Sequence, residues 1–210
     1  MGGGWRHESG FGASAVETAR WLKATARHEQ ARLAARARPL PSDVELRLRP
    51  ASEIPDPERK ELVGWLADSF SWTERYADFD WHLEAVSGRE RLAHLGLVRR
   101  NVRVVDRQLD TALVGGVLTE KRWRRRGLAS VLMRSADSFV TQALGLRFGL
   151  LLCAEALVPL YEGLGWDRLR SPLVYQQPDR YRLRAGPAML KCYSGAPWPP
   201  GPVDLQGLPV

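Results

Sequence analysis

Arg124-Arg125-Arg126 runs directly into Gly127-Leu128-Ala129-Ser130, three guanidiniums followed by small residues at the start of an apolar periodic segment. The first turn of a helix leaves backbone N–H groups without partners, and the helix dipole adds partial positive charge there. Such an end binds anions, above all phosphate. Gly127 and Ala129 would let a pyrophosphate approach the backbone, and the arginines can neutralise it through bidentate contacts. A solvated basic loop capping a helix is the plainer alternative. Other side chains with chemical capacity are scattered. His94 titrates near neutrality and can serve as a general base or as a hydrogen-bonded strand residue. Tyr161 can donate a proton or fill a core. Asp204 is a second candidate base, or a turn residue. Asp78 and Asp80 flank Phe79 and Trp81, with Glu74 and Glu84 nearby. Carboxylates beside aromatics suit a cationic ligand, or simply a solvated acidic turn. Cys153 lies in the apolar run Leu150–Cys153, where a thiol is usually inert.

The elements that would position these residues can be read from periodicity. Val44, Leu46 and Leu48 alternate with charged residues, which predicts a half-buried strand. Asp56-Pro57 reads as an N-cap with proline at the first helical position, followed by Leu62, Trp65, Leu66 and Phe70 at helical spacing. His82–Ser87 and Arg91–Val105 read as a hairpin about Gly88, and a third strand runs from about Leu109 to Thr119. After the basic loop, Leu128, Val131, Leu132, Phe139 and Ala143 mark an amphipathic helix ending near Gly145. Phe148–Cys153 is a short buried strand, Pro159–Leu164 a short helix, and Leu173–Gln177 and Ala188–Tyr193 close the sheet. The tail from residue 195 to 210 is too rich in proline for regular structure and is expected to be an extended strap. The plan is mixed α/β, with one right-handed strand–helix–strand crossover. Residues 1–42 form a separate arm, glycine-rich and then helical. Its thin stripe of small apolar residues suits a surface-docked or fraying segment, or a dimerising helix. Residues 43–210 form the domain.

Composition narrows the function classes. The chain has 210 residues, 44% hydrophobic and 26% charged, which suits one globular domain and excludes rods and wholesale disorder. No apolar run reaches membrane-spanning length, and the glycine-rich start has no signal-peptide core. Two cysteines make neither a disulfide scaffold nor a zinc site, so a reduced, cytoplasmic protein without a metal is expected. The net charge of +7 invites a nucleic-acid reading. It is confined, however, to the arm and the loop Lys121–Arg126, whereas duplex binding needs a broad basic face. The expected partner is a small molecule.

The pattern Arg124-x-x-Gly127-x-Ala129 after a strand resembles the acyl-CoA signature of the GNAT superfamily of N-acyltransferases. It fits neither a Walker A sequence nor a dinucleotide-binding fingerprint. Tyr161-Glu162-Gly163-Leu164-Gly165-Trp166 is similar to the same family's Tyr-x-x-x-Gly-aromatic segment, and the element order agrees. The resemblance covers about Val44 to Tyr193. It implies an α+β fold with a largely antiparallel sheet of about seven strands, splayed between the fourth and fifth. Acetyl-CoA would lie there as co-substrate. Its pantetheine would sit along Val117, Leu118 and Thr119 and its pyrophosphate on Arg124, Arg125, Arg126, Gly127, Leu128, Ala129 and Ser130. Tyr161 would protonate the departing thiolate. A fourth-strand N–H near Leu118 would meet the oxyanion.

Leu92–Arg100, with its Ala93-His94 pair, and the tail Trp198–Asp204 resemble the aminoglycoside 2′-N-acetyltransferases and Nod-factor acyltransferases. This branch implies an amino-sugar acceptor, with His94 or Asp204 as base and Asp78, Asp80, Trp81 and Glu84 on the acceptor side. Gly115 stands where the aminoglycoside enzymes carry a glutamate. Transfer of a longer acyl chain, or an inactive acyl-CoA sensor, are the alternative implications.

Overall fold

The computed structural model describes residues 42–70 and 74–210. The expected helical arm therefore lies outside the described residues.

The sheet grows from the hairpins that the alternation predicts. Strand β1 (Val44–Pro50) buries Val44, Leu46 and Leu48, while Glu45 stays exposed. It pairs antiparallel with β2 (Trp81–Ser87), which pairs with β3 (Glu90–Val104), which pairs with β4 (Arg107–Thr119). Between β1 and β2 lies helix α1 (Asp56–Ser69). Pro57 occupies its first turn, as read, but the N-cap is Pro55. Asp56 instead turns to Arg59 one turn on, at 3.0 Å.

Helix α2 (Leu128–Gln142) crosses from β4 to the parallel strand β5 (Phe148–Leu152). Its buried residues Leu128, Val131, Leu132, Ala136, Phe139 and Val140 recur every three or four positions and pack on the sheet. Each large one contributes about 1.5–3 kcal/mol by leaving water. Asp137 on the same helix accepts hydrogen bonds from Lys191 (2.7 Å) and Tyr193 (3.0 Å), tying α2 to β9 (Ala188–Cys192). β5 pairs with β9 and is buried on both faces, hence its unbroken apolar run. The short helix α3 (Val158–Glu162) follows β5.

The closing strands outnumber the two read from the sequence. β9 pairs with β5 and with β6 (Asp167–Arg168), whereas β7 (Leu173–Gln176) pairs with β8 (Tyr181–Leu183) and with the tail. The tail is not wholly irregular. Val203–Asp204 forms β10, inserted between β3 and β7 and supplying the ladder each would otherwise lack. A two-residue strand carries no periodicity, so only its partners reveal it. No described helix is long and apolar enough to cross a membrane.

Candidate active site

β4 and β5 part company where the basic loop begins to matter. Their parallel ladder runs from Thr111–Phe148 to Val114–Leu151 and stops, although β4 continues to Thr119. From Gly115 to Thr119, β4 has β3 on one side and, among the described residues, no strand on the other. This open edge leaves main-chain donors and acceptors for an extended ligand.

The open edge is also bulged. His94 faces Leu118 and Gly96 faces Gly115, so Gly116 and Val117 together oppose the single residue Leu95. Gly116 takes φ +56°, the left-handed conformation that lets one extra residue enter a ladder. Its carbonyl turns out of the ladder to accept a hydrogen bond from His94 Nδ1 at 2.8 Å.

The next turn of chain leads into the N-terminus of α2. Gly127, at φ 86°, caps α2 with no side-chain hydrogen bond. The first intrahelical bond is Val131 N–H to the Gly127 carbonyl, at 3.0 Å. The N–H groups of Leu128, Ala129 and Ser130 therefore precede the helical ladder and point out of its end. Arg124 and Arg125 are exposed, and Arg126 stacks over the Trp123 ring at 4.6 Å. Arg124 also donates to the Thr119 carbonyl at 3.1 Å, joining the loop to the open end of β4.

Tyr161 is buried on α3 beside Cys153. Burial, with Cys153 adding to it, pushes the phenol well above its ordinary value, so it holds its proton at neutral pH. The aromatic cover of β4 is Phe79. A Cβ placed on Gly96 would lie 2.3 Å from its ring, and one on Gly116 would lie 2.9 Å from it. Phe79 also meets His82 edge-on at 5.6 Å and His94 at 5.8 Å. A Cβ on Gly115 would lie 2.5 Å from the Val210 main chain, so the tail occupies the space a larger residue would need.

The other candidates differ in their surroundings. His94 is fully buried, with both ring nitrogens engaged, one on Gly116 and one on His82 Nδ1 at 3.0 Å. Glu84 is fully buried between Arg49 (2.6 Å) and Arg91. Burial raises its pKa, but the two guanidiniums outweigh that and hold it below the usual carboxylate range. Its charge is matched inside the protein rather than offered to a ligand. Asp204 accepts from Arg103 at 2.7 Å and from the Gln206 N–H at 2.8 Å. Arg103 lies nine residues beyond His94 on β3, about 30 Å along an extended strand. Asp204 is thus a strand residue remote from the bulge, its carboxylate engaged by Arg103 and the Gln206 N–H. Trp81 meets Phe139 of α2 edge-on at 5.6 Å, on the core side. Asp80 accepts from the Arg99 N–H at 2.8 Å, and Asp78 is exposed.

Sequence reasoning passed over His82, and read Phe79 only as an aromatic of the acidic segment. The hairpin could have suggested His82, which shares a face with His94, but a register shift at Ala85/Val86 hides the pairing. Among the described residues, no cluster of His, Cys, Asp and Glu is arranged to hold a metal ion.

Burial of His94 has a measurable consequence. Burial is the main cause that lowers its pKa, to about 4, against an unfolded value of 6.5, with the Gly116 carbonyl opposing. The unfolded chain binds a proton on this residue that the native protein refuses, so stability is full above pH 6.5 and is lost as pH falls toward 4. The loss should reach about 3 kcal/mol at the lower limit. Urea midpoints measured across this interval should fall more steeply for the unaltered protein than for His94→Gln. Equal slopes would disprove the burial argument.

The sequence matches no family model and no curated protein. Solved structures do share its fold. ElaA from Escherichia coli superposes with a TM-score of 0.53 and 14% identity, over 70% of this chain and 99% of its own. An acyl-CoA N-acyltransferase from Pseudomonas aeruginosa gives 0.53 and 16%, over 71% and 99%. The GNAT-family N-acetyltransferase YhbS from Escherichia coli, solved in complex with CoA, gives 0.50 and 16%, over 82% and 98%. At such identities the likeness establishes architecture. The α+β sheet with its divergent central strands is the GNAT fold.

Proposed function

We propose that this GNAT-fold chain is an acyl-CoA-dependent N-acyltransferase, moving an acetyl group from acetyl-CoA to the primary amine of an amino sugar or aminoglycoside-like small molecule. One observation carries the reading: β4 and β5 separate beyond Val114–Leu151, and the open stretch leads straight to the arginine-flanked end of α2. Pantetheine would pair with the free edge at Val117, Leu118 and Thr119. The diphosphate would sit on the N–H groups of Leu128, Ala129 and Ser130, with Gly127 giving close approach and Arg124, Arg125 and Arg126 supplying countercharge. The likeness to a CoA complex supports this placement. The amino-sugar acceptor rests on the Ala93-His94 strand and the Trp198–Asp204 tail, with the exposed carboxylates Asp78 and Asp80 flanking Phe79 in the chain.

The chemistry is direct. A neutral amine attacks the thioester carbon, a main-chain N–H of the Val117–Leu118 stretch meets the carbonyl oxygen, and the C–S bond breaks. Tyr161 gives its proton to the departing sulfur. Calorimetric titration of CoA into the protein tests the whole reading, and absence of binding would refute it. Tyr161→Phe should slow acetyl transfer by about 10²-fold while leaving CoA affinity unchanged. An unaltered kcat would clear the phenol of this role.

A further inference from the structure

His82 and His94 are diagonal neighbours on one face of the β2–β3 ladder, since His82 opposes Gly96 and Glu84 opposes His94. Their rings lie 5.3 Å apart, with His82 Nδ1 3.0 Å from His94 Nε2. The hydrogen bonds dictate where the protons sit. A carbonyl only accepts, so His94 must carry its proton on Nδ1, facing the Gly116 oxygen. Neutral His94 then has only a lone pair on Nε2, and His82 must donate to it from Nδ1. His82 is left with a lone pair on Nε2. Among the described residues nothing bonds to that atom, and it is not one of the enclosed polar atoms that lack a partner. A chain of hydrogen bonds thus runs from the bulge carbonyl, through His94, to a free imidazole base.

The geometry points to His82 as the proton acceptor of the site, with His94 as the positioning residue that sets its tautomer and orientation. This rests on the acyltransferase reading and names the group that turns the acceptor ammonium into a nucleophile. It also accounts for Gly115. A glutamate there would collide with the tail, and the two imidazoles stand beside the neighbouring bulge instead. The role of His94 resembles that of the third member of a catalytic triad, which holds one imidazole nitrogen so that the other faces the reaction.

The step balances as follows. The ammonium transfers one proton to His82 Nε2, and the freed lone pair forms the C–N bond. The C–S bond breaks, and the thiolate takes the Tyr161 proton. The nitrogen loses its second proton through solvent, which restores the phenol, and His82 returns its own proton to solvent. The products are amide, CoA thiol and one proton. Burial keeps His82 neutral and thus competent at pH 7. Charged groups reach it from every side: Glu84 of β2 opposes the effect of burial, whereas Arg49 of β1, Arg91 of β3 and Arg59 of α1 reinforce it.

The test compares acceptors that need deprotonation with one that does not. Acetyl transfer to kanamycin and glucosamine, whose amines are largely ammonium at neutral pH, is set against transfer to hydroxylamine, which is already neutral. His82→Gln should lower kcat toward the first two by about 10²–10⁴-fold and toward hydroxylamine by less than about ten-fold, with KM for acetyl-CoA unchanged. It should also remove the acid limb of the kcat/KM profile. His94→Gln, whose amide can both donate to Gly116 and accept from His82, should keep far more activity than His94→Leu. Equal losses toward all three nucleophiles, or none, would overturn the assignment. Nitrogen NMR of the imidazoles in the unaltered protein gives an answer that no variant's folding can obscure, since His82 protonated on Nε2 also overturns it. Failure of the unaltered protein to bind CoA, or to acylate any of the three, would overturn the acyltransferase reading itself.

Discussion

Gly127→Val should weaken CoA binding by at least about 10²-fold, roughly 3 kcal/mol. Gly127 sits at φ 86°, ψ 0° directly before Leu128. A β-branched residue is a genuine outlier in that region, and left-handed backbone alone costs an L-residue about 1–2 kcal/mol. The cheapest relief is to return Gly127 to negative φ, which swings Leu128, Ala129 and Ser130 and scatters their three N–H vectors. If the strain is borne instead, two methyl groups stand where the phosphates should approach. Both routes remove the anion site without touching a charge. The helix itself should survive, because its apolar stripe from Val131 to Val140 remains buried. Calorimetry with CoA reads the binding and far-ultraviolet circular dichroism reads the helix. Undiminished affinity would mean that the diphosphate does not bind at this end of α2.

The second large effect belongs to the bulge. Gly116→Val should destabilise the fold by about 3–5 kcal/mol, adding left-handed strain to forced overcrowding. Even a Cβ would lie 2.9 Å from the Phe79 ring and 3.3 Å from His94 Cε1. Those rings are held by α1 and by β3, so neither can give way freely. A loss of that size corresponds to a fall in Tm of about 10 °C for a domain this large. Any folded fraction should have lost the Gly116–His94 hydrogen bond, and with it acetyl transfer. A melting point within about 2 °C of the unaltered protein would show that the bulge is not under this constraint.

How much of this was legible beforehand can be traced through individual residues. Val44, Leu46 and Leu48 announce their strand because alternation is a local consequence of the pleat. The helix of Leu128 to Gln142 announces itself for the same reason at the helical period. The arginine-glycine loop was legible in its residue types, since countercharge and a side-chain-free backbone are what a diphosphate requires. The resemblance to acyl-CoA enzymes followed from that loop and Tyr161, and the solved structures bear out its fold. Glu84 and Asp204 show the limit. Both are carboxylates near promising sequence, yet Arg49 and Arg91 enclose one and Arg103 holds the other. Sequence distance says nothing of such partners.

The amino-acid order alone determined the longer strands and helices, the crossover and the residue types of the basic loop, because propensity, periodicity and charge act over a few neighbouring residues. Only the folded chain decided which strands part, where β4 admits its extra residue, that the tail inserts between β3 and β7, and that His82 meets His94 beneath Phe79. Those outcomes depend on register. A shift of one residue turns every side chain to the opposite face, and register is settled jointly by the whole core.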